Sequence, residues 1–185
     1  MPPALLKPRT WPTWAGLGLL YLLIRLPYPW QLALGRGLGR LLFLAMPRRR
    51  RIASINLALC FPELSEKERE DLLRTHFASL GIAPFEMAMG WWAKDKRLEG
   101  LARIEGLSHL KKALAQGKGA ILLSGHFTTV DIGGRFLARH LPFCALYRQA
   151  KNPAFEYVLK RARERRIEKA IPRRDMRGML RCLRA

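Results

Sequence analysis

Gly119-Ala120-Ile121-Leu122-Leu123-Ser124-Gly125-His126-Phe127-Thr128-Thr129-Val130-Asp131 is the stretch on which the fold turns. It opens with a short apolar run bounded by glycines, the pattern of a strand buried on both faces of a parallel sheet. The spacing predicts a strand over 119–124 and a helix from about 128 to 140. His126 would then leave the carboxyl end of a strand, where ligands gather in open parallel sheets. Asp131, five positions on, would lie one turn into the helix and fold back toward one ring nitrogen. A carboxylate so placed fixes the imidazole tautomer, leaves the other nitrogen free as a base, and stabilises the imidazolium that forms. The helix N-terminus adds amides for a developing oxyanion. The other histidines, His76, His109 and His140, have Gly81, Leu114 and Ala145 at that offset. Ser124 lacks a G-x-S-x-G context, which points to direct transfer onto a hydroxyl instead of a serine acyl-enzyme. The competing structural reading is a helix-capping histidine with an incidental acid.

Downstream, the pattern predicts a strand over 143–148, a helix over 153–166 with Pro153 in its first turn, a strand over 167–171, and a last helix capped by Asp175. Upstream, 101–105 reads as a strand, and Ser108 as the cap of a helix ending near Gly117. Strands alternating with helices imply an α/β fold: a parallel or mixed sheet with flanking helices, built from right-handed βαβ units. Before it, 51–59 reads as a short amphipathic helix, and Ser65 with Glu68 is a capping-box signature for a long one. That helix should run through Leu72, Leu73, Phe77 and Leu80 until Gly81 and Pro84 kink or break it. Met87, Met89, Trp91 and Trp92 continue an apolar face that either packs the core or lines an acyl-chain groove.

The formal charge of +20 calls for acidic partners, and its distribution is uneven. Residues 1–62 hold nine Lys/Arg and no Asp or Glu, residues 63–147 carry a net +2, and residues 148–185 carry +9. Residues 14–24 and 30–46 are apolar, the second interrupted by Arg36 and Arg40, and both fall short of the ~20 unbroken apolar residues that span a bilayer. Two arrangements fit: one tilted, kinked span, or two helices in the headgroup layer with Arg25, Arg36 and Arg40 snorkelling outward. Trp11, Trp14, Tyr21, Tyr28 and Trp30 suit that interface, and Arg48 to Arg51 would be drawn to anionic lipid at about 1 kcal/mol per charge. A cleaved signal, a transit peptide and a buried helical hairpin are the competing readings of this segment. Cys60, Cys144 and Cys182, odd in number and without metal or redox spacing, read as three free thiols in a reducing cytoplasm. The chain therefore reads as a membrane-anchoring segment (1–47), a helical region (48–100) and an α/β catalytic core (101–185).

His126 and Asp131 also match the H-x4-D/E motif of membrane-associated acyltransferases. Their surroundings resemble the late acyltransferases of lipid A biosynthesis, especially the lauroyl-transferring branch. The resemblance covers nearly the whole chain: Leu6-Lys7-Pro8-Arg9, Trp14-Ala15-Gly16-Leu17-Gly18, Leu26-Pro27-Tyr28-Pro29, Asn56-Leu57, Cys60-Phe61-Pro62-Glu63 and Ser65-Glu66. After the histidine come Tyr147-Arg148, Asn152-Pro153, Arg163 and Arg173-Arg174-Asp175-Met176-Arg177-Gly178-Met179. It implies transfer of a fatty acyl chain from acyl carrier protein to a hydroxyacyl chain of a Kdo-bearing lipid A precursor, at the cytoplasmic face of a Gram-negative inner membrane. His126 would be the base and Asp131 its orienting partner, while Arg148, Arg163 and Arg173 would bind anionic groups of the substrate. Guanidinium forks match phosphate and carboxylate geometry. Neither a metal nor a cofactor is implied, because the thioester donor is already activated. The implied partners are acyl carrier protein, the lipid A precursor and anionic inner-membrane phospholipid, with no nucleic acid. Family members extend further than this chain, so the expectation is an amino-terminal portion with an incomplete sheet and little activity alone. The alternatives are an H-x4-D acyltransferase acting on glycerol phosphate, or a basic, non-enzymatic module for membrane or nucleic acid.

Overall fold

The capping box is formed as read. In the computed structural model, which describes residues 3–184, Ser65 N and Oγ donate to Glu68 Oε2 at 2.7 and 2.6 Å, and Glu68 N donates back to Ser65 Oγ at 3.3 Å. These bonds hold the Glu68 carboxyl below its ordinary range. The helices are α1 (Trp11–Leu23), α2 (Tyr28–Ala45), α3 (Pro47–Cys60), α4 (Glu66–Trp92), α5 (Leu107–Leu114), α6 (Val130–Ala138), α7 (Pro153–Glu164) and α8 (Met176–Arg184). Two strands, β1 (Cys144–Tyr147) and β2 (Lys169–Pro172), pair in parallel with Cys144 opposite Lys169 and Tyr147 opposite Pro172, joined through α7. The fold is mostly helical with a small parallel sheet, consistent with the α/β expectation.

The chain divides into two compact units, Leu20–Met89 and Met1–Leu19 with Gly90–Ala185. In the first, α2 and α4 touch through glycines. A Cβ on Gly35 would lie 2.8 Å from Ile82 Cα, one on Gly39 2.6 Å from Ala78 Cα, and one on Gly81 2.7 Å from Gly39 Cα. Backbone meets backbone there, so the approach depends on the missing side chains. Beside it, Phe43, Leu73 and Phe77 form a buried cluster, with the Phe43 and Phe77 rings edge to face at 5.3 Å. Of the expected kink or break at Gly81 and Pro84, the break does not occur: α4 runs continuously from Glu66 to Trp92. Gly81 is a packing contact, and burial of Phe77, Phe85 and Met89 outweighs the one backbone bond that Pro84 removes. Gln31, fully buried, donates from Nε2 to the Ile24 and Leu26 carbonyls (3.1 and 2.8 Å), satisfying the turn between α1 and α2.

In the second unit, Trp91 meets Trp92 and Phe155 edge to face at 5.4 and 5.5 Å, and Leu98, Ala154, Leu159 and Ile171 are buried. Asp175 caps α8 as expected, its Oδ1 accepting from Gly178 N at 2.8 Å. Four expectations are corrected. Residues 119–124 are not a strand but exposed coil, with Ile121 84% and Leu123 98% accessible, and 101–105 is coil as well. An apolar run becomes a strand only when another strand takes its hydrogen bonds, and among the described residues β1 and β2 pair only with each other. Helix α5 begins after Gly106, whose φ of +72° suits glycine, so Ser108 lies inside the helix instead of capping it. Cys144 of β1 and Cys182 of α8 are joined by a disulfide, leaving only Cys60 free. Spacing in sequence held no sign of this, because the two residues are brought together by the parallel crossover and the return of α8. Among the described residues no helix is long and apolar enough to cross a membrane.

Candidate active site

The carboxyl ends of β1 and β2 gather the polar residues. Tyr147 and Pro172 are the last register pair, and Arg173 N donates to Tyr147 O at 2.8 Å. Arg148 and Arg173 are therefore the next residues past the two strand ends, both exposed. Parallel pairing places two guanidinium side chains on neighbouring strand exits, an arrangement able to receive a phosphate or carboxylate. Sequence spacing alone, 25 positions apart, could not have joined them.

The segment that carries Arg148 out of β1 is fastened at several points. Tyr147 Oη donates to Glu156 Oε1 at 2.8 Å, and Glu156 Oε2 accepts from Ala150 N at 2.8 Å. Asn152 caps α7, its Oδ1 accepting from Ala154 N and Phe155 N, while its Nδ2 donates to Thr13 Oγ1 at 2.7 Å. Burial and then the Glu156 hydrogen bond push the Tyr147 phenol up to about 12. Glu156 went unread in the sequence; its only signal is that acids are rare in the basic tail, four among residues 148–185.

Asp131 occupies the first turn of α6, with its side chain only 15% exposed. Its Oδ1 accepts from Arg163 Nε at 2.8 Å and pairs with Arg163 Nη2 at 2.7 Å. The Arg163 guanidinium lies 5.4 Å from the centre of the Tyr147 ring, within cation–π range. The structure thus unites Asp131, Arg163, Tyr147 and Glu156. His126 is exposed on the coil before α6, and among the described residues no hydrogen bond or ion pair joins its ring to Asp131.

A second residue that sequence reading passed over is Arg135, one helical turn beyond Asp131 and only 3% exposed. Its Nη1 donates to Gly90 O at 3.2 Å, and its Nη2 donates to Ala93 O at 2.6 Å and Asp95 Oδ1 at 2.7 Å. It closes the carboxyl end of α4 on the flank of α6, where a Cβ on Gly90 would come within 3.3 Å of Ile132. Burial lowers the Arg135 guanidinium from its ordinary value, and its hydrogen bond holds the Asp95 carboxyl below the usual range. The signal was available: a charged residue within the apolar helix VDIGGRFLA. Among the described residues no group of three or more His, Cys, Asp or Glu is placed to hold a metal ion.

The whole chain, residues 1–185, matches the family model for bacterial lipid A biosynthesis acyltransferase. It is similar to the lipid A biosynthesis lauroyltransferase of Escherichia coli K12, with 38% identity over 97% of this chain and 59% of the relative. The palmitoleoyltransferase of the same organism is 39% identical over 95% of this chain and 57% of the relative. A lipid A biosynthesis acyltransferase of Haemophilus influenzae is 35% identical over 98% and 58%. The chain therefore spans less than two thirds of the length of these relatives. No solved structure matches. With a family model matched from end to end, and relatives 35–39% identical over nearly the whole chain, the chain belongs to the bacterial lipid A biosynthesis acyltransferase family.

Proposed function

We propose that this protein transfers a fatty acyl chain, lauroyl in the first instance, from acyl carrier protein to a hydroxyacyl chain of a Kdo-bearing lipid A precursor. The observation that carries this reading is the match of the entire chain to the family, with His126 and Asp131 in H-x4-D order. His126 takes the proton from the acceptor hydroxyl as the oxygen attacks the thioester carbonyl, and Asp131 orients the ring and stabilises the imidazolium. The thiol of the carrier leaves with the proton returned by the imidazolium. The exposed ring reaches Asp131 as the substrate enters, since catalytic hydrogen bonds tighten only in the bound complex. Arg148 and Arg173 receive the anionic groups, as their adjacent strand exits favour. Lauroyl is chosen over palmitoleoyl on the sequence resemblance, as the two relatives are equally similar.

The test is transfer of labelled lauroyl from acyl carrier protein to the precursor by the full-length protein and its His126→Ala variant. A loss of about two to four orders of magnitude is what removal of a general base predicts. A variant that still acylates at the parent rate ends the reading, and activity on glycerol phosphate alone replaces the acceptor.

The reaction belongs at the cytoplasmic face of the inner membrane. Support comes from α2, which turns two faces. Gly35, Gly39 and Phe43 are buried, while Trp30, Leu34, Leu41 and Leu44 form an outward stripe, 43–71% exposed. Arg36, Arg40 and Arg48 to Arg51 flank and follow it, with no acid before Glu63. Such a helix lies in the plane of the interface, and anionic phospholipid matches its charge. Flotation should therefore place the protein with vesicles containing phosphatidylglycerol and leave it behind with neutral vesicles in high salt. Equal recovery in both would remove the electrostatic part of this reading.

A further inference from the structure

We infer that Arg163 is a positioning residue for Asp131 instead of a ligand for substrate anions, and that Tyr147 and Glu156 hold it in that role; this rests on the acyl-transfer reading above. Arg163 Nε and Nη2 both end on one oxygen, Asp131 Oδ1, at 2.8 and 2.7 Å. The two side chains are 23% and 15% exposed, so the pair is largely enclosed. Clamping a phosphate or carboxylate of the substrate takes a guanidinium fork directed at solvent. Here one edge of the fork is engaged by Asp131 and its Cζ lies 5.4 Å from the Tyr147 ring centre. Arg148 and Arg173, by contrast, are exposed past the strand ends.

The hold continues away from the reacting atoms. Tyr147 Oη donates to Glu156 Oε1 at 2.8 Å, and Glu156 Oε2 accepts the Ala150 amide at 2.8 Å, which fixes the ring against which Arg163 rests. Asp131 is thus pinned through a single oxygen, and among the described residues nothing bonds Oδ2. That oxygen is the one left to meet the imidazole of His126. Arg163 consequently sets the direction in which Asp131 orients the base, which affects proton removal and not the affinity for anionic substrate. No bond is made or broken by Arg163 itself.

The experiment compares Arg163→Met and Arg163→Lys with the parent in the full-length protein, using lauroyl-acyl carrier protein and the lipid A precursor. The expected result is a fall in kcat of roughly 10- to 100-fold for Arg163→Met with both KM values within about twofold, and partial recovery in Arg163→Lys. Glu156→Gln, which can accept only one of the two bonds, should reproduce a smaller fall in kcat. A KM raised about tenfold at unchanged kcat would overturn the inference and return Arg163 to the substrate. So would parent values of both constants. A readout without turnover is the Arg163 Nε–H resonance, expected to be protected from solvent exchange and to lose that protection in Asp131→Asn. An unprotected resonance in the parent also overturns the inference. A parent that transfers no acyl group to any acceptor, yet keeps the protected resonance, instead overturns the acyl-transfer reading, and the positioning role falls with it.

Discussion

Replacing Gly81 by alanine should destabilise the protein although the position is helical. In an ordinary helix interior, Gly to Ala is worth about 1 kcal/mol in favour of alanine. At Gly81 the added methyl would lie 2.7 Å from Gly39 Cα, and closer still to the Gly35 carbonyl oxygen and Gly39 nitrogen. Ordinary carbon contacts begin at roughly 3.5 Å, so α2 must withdraw by most of an ångström. All three obstructing atoms are backbone, so no side chain can rotate away. Overpacking of this kind costs about 1–3 kcal/mol, and a backbone clash on three atoms belongs at the upper end. The net expectation is a loss of about 2 kcal/mol. Gly37 supplies the control: it is on the exposed side of α2 with nothing within 4 Å of its Cβ position, so Gly37→Ala should stabilise by up to about 1 kcal/mol. Urea unfolding followed by helical circular dichroism measures both. At this chain length the two variants should differ by roughly 6–12 °C in Tm. If Gly81→Ala proves as stable as Gly37→Ala, the close approach of α2 and α4 is wrong.

Arg135→Met keeps the length of the side chain but strands the Gly90 and Ala93 carbonyls, so a loss of about 2–4 kcal/mol is expected in the same unfolding measurement. Asp95, held below its ordinary range first by its Arg135 hydrogen bond, contributes stability that is present above about pH 4 and lost as pH falls through its lowered value. Melting temperature should therefore drop more steeply on acidification in the parent than in Asp95→Asn. At the alkaline end, burial and Glu156 raise Tyr147 to about 12, so its contribution is full below pH ~10 and lost as pH climbs through that raised value. Absorbance titration of Tyr147→Phe should lose one late-ionising phenol relative to the parent.

Features written in neighbouring residues were legible without coordinates. The Ser65–Glu68 box, the Asn152-Pro153 start of α7 and the Asp175 cap of α8 are each made within about one helical turn. The strands read at 143–148 and 167–171 and the helix read at 128–140 formed as 144–147, 169–172 and 130–138, and the H-x4-D spacing follows from order alone. Gly81 shows where local reading fails, because a glycine that looks like a helix breaker and one that lets another helix approach are the same residue until the neighbour is known.

The order of residues by itself determined the starts of α4, α7 and α8, the two short strands, the positions of His126 and Asp131, and the basic, apolar amino-terminal run. Tertiary structure decided what each charged group faces: Asp131 turned to Arg163, Arg135 closed the end of α4, and Arg148 came level with Arg173. It also left 119–124 as exposed coil. The physical reason is range. Capping and periodicity act over a few residues, whereas ion pairs, strand pairing and helix contacts join residues tens of positions apart, and their energies exist only once the chain has brought them together.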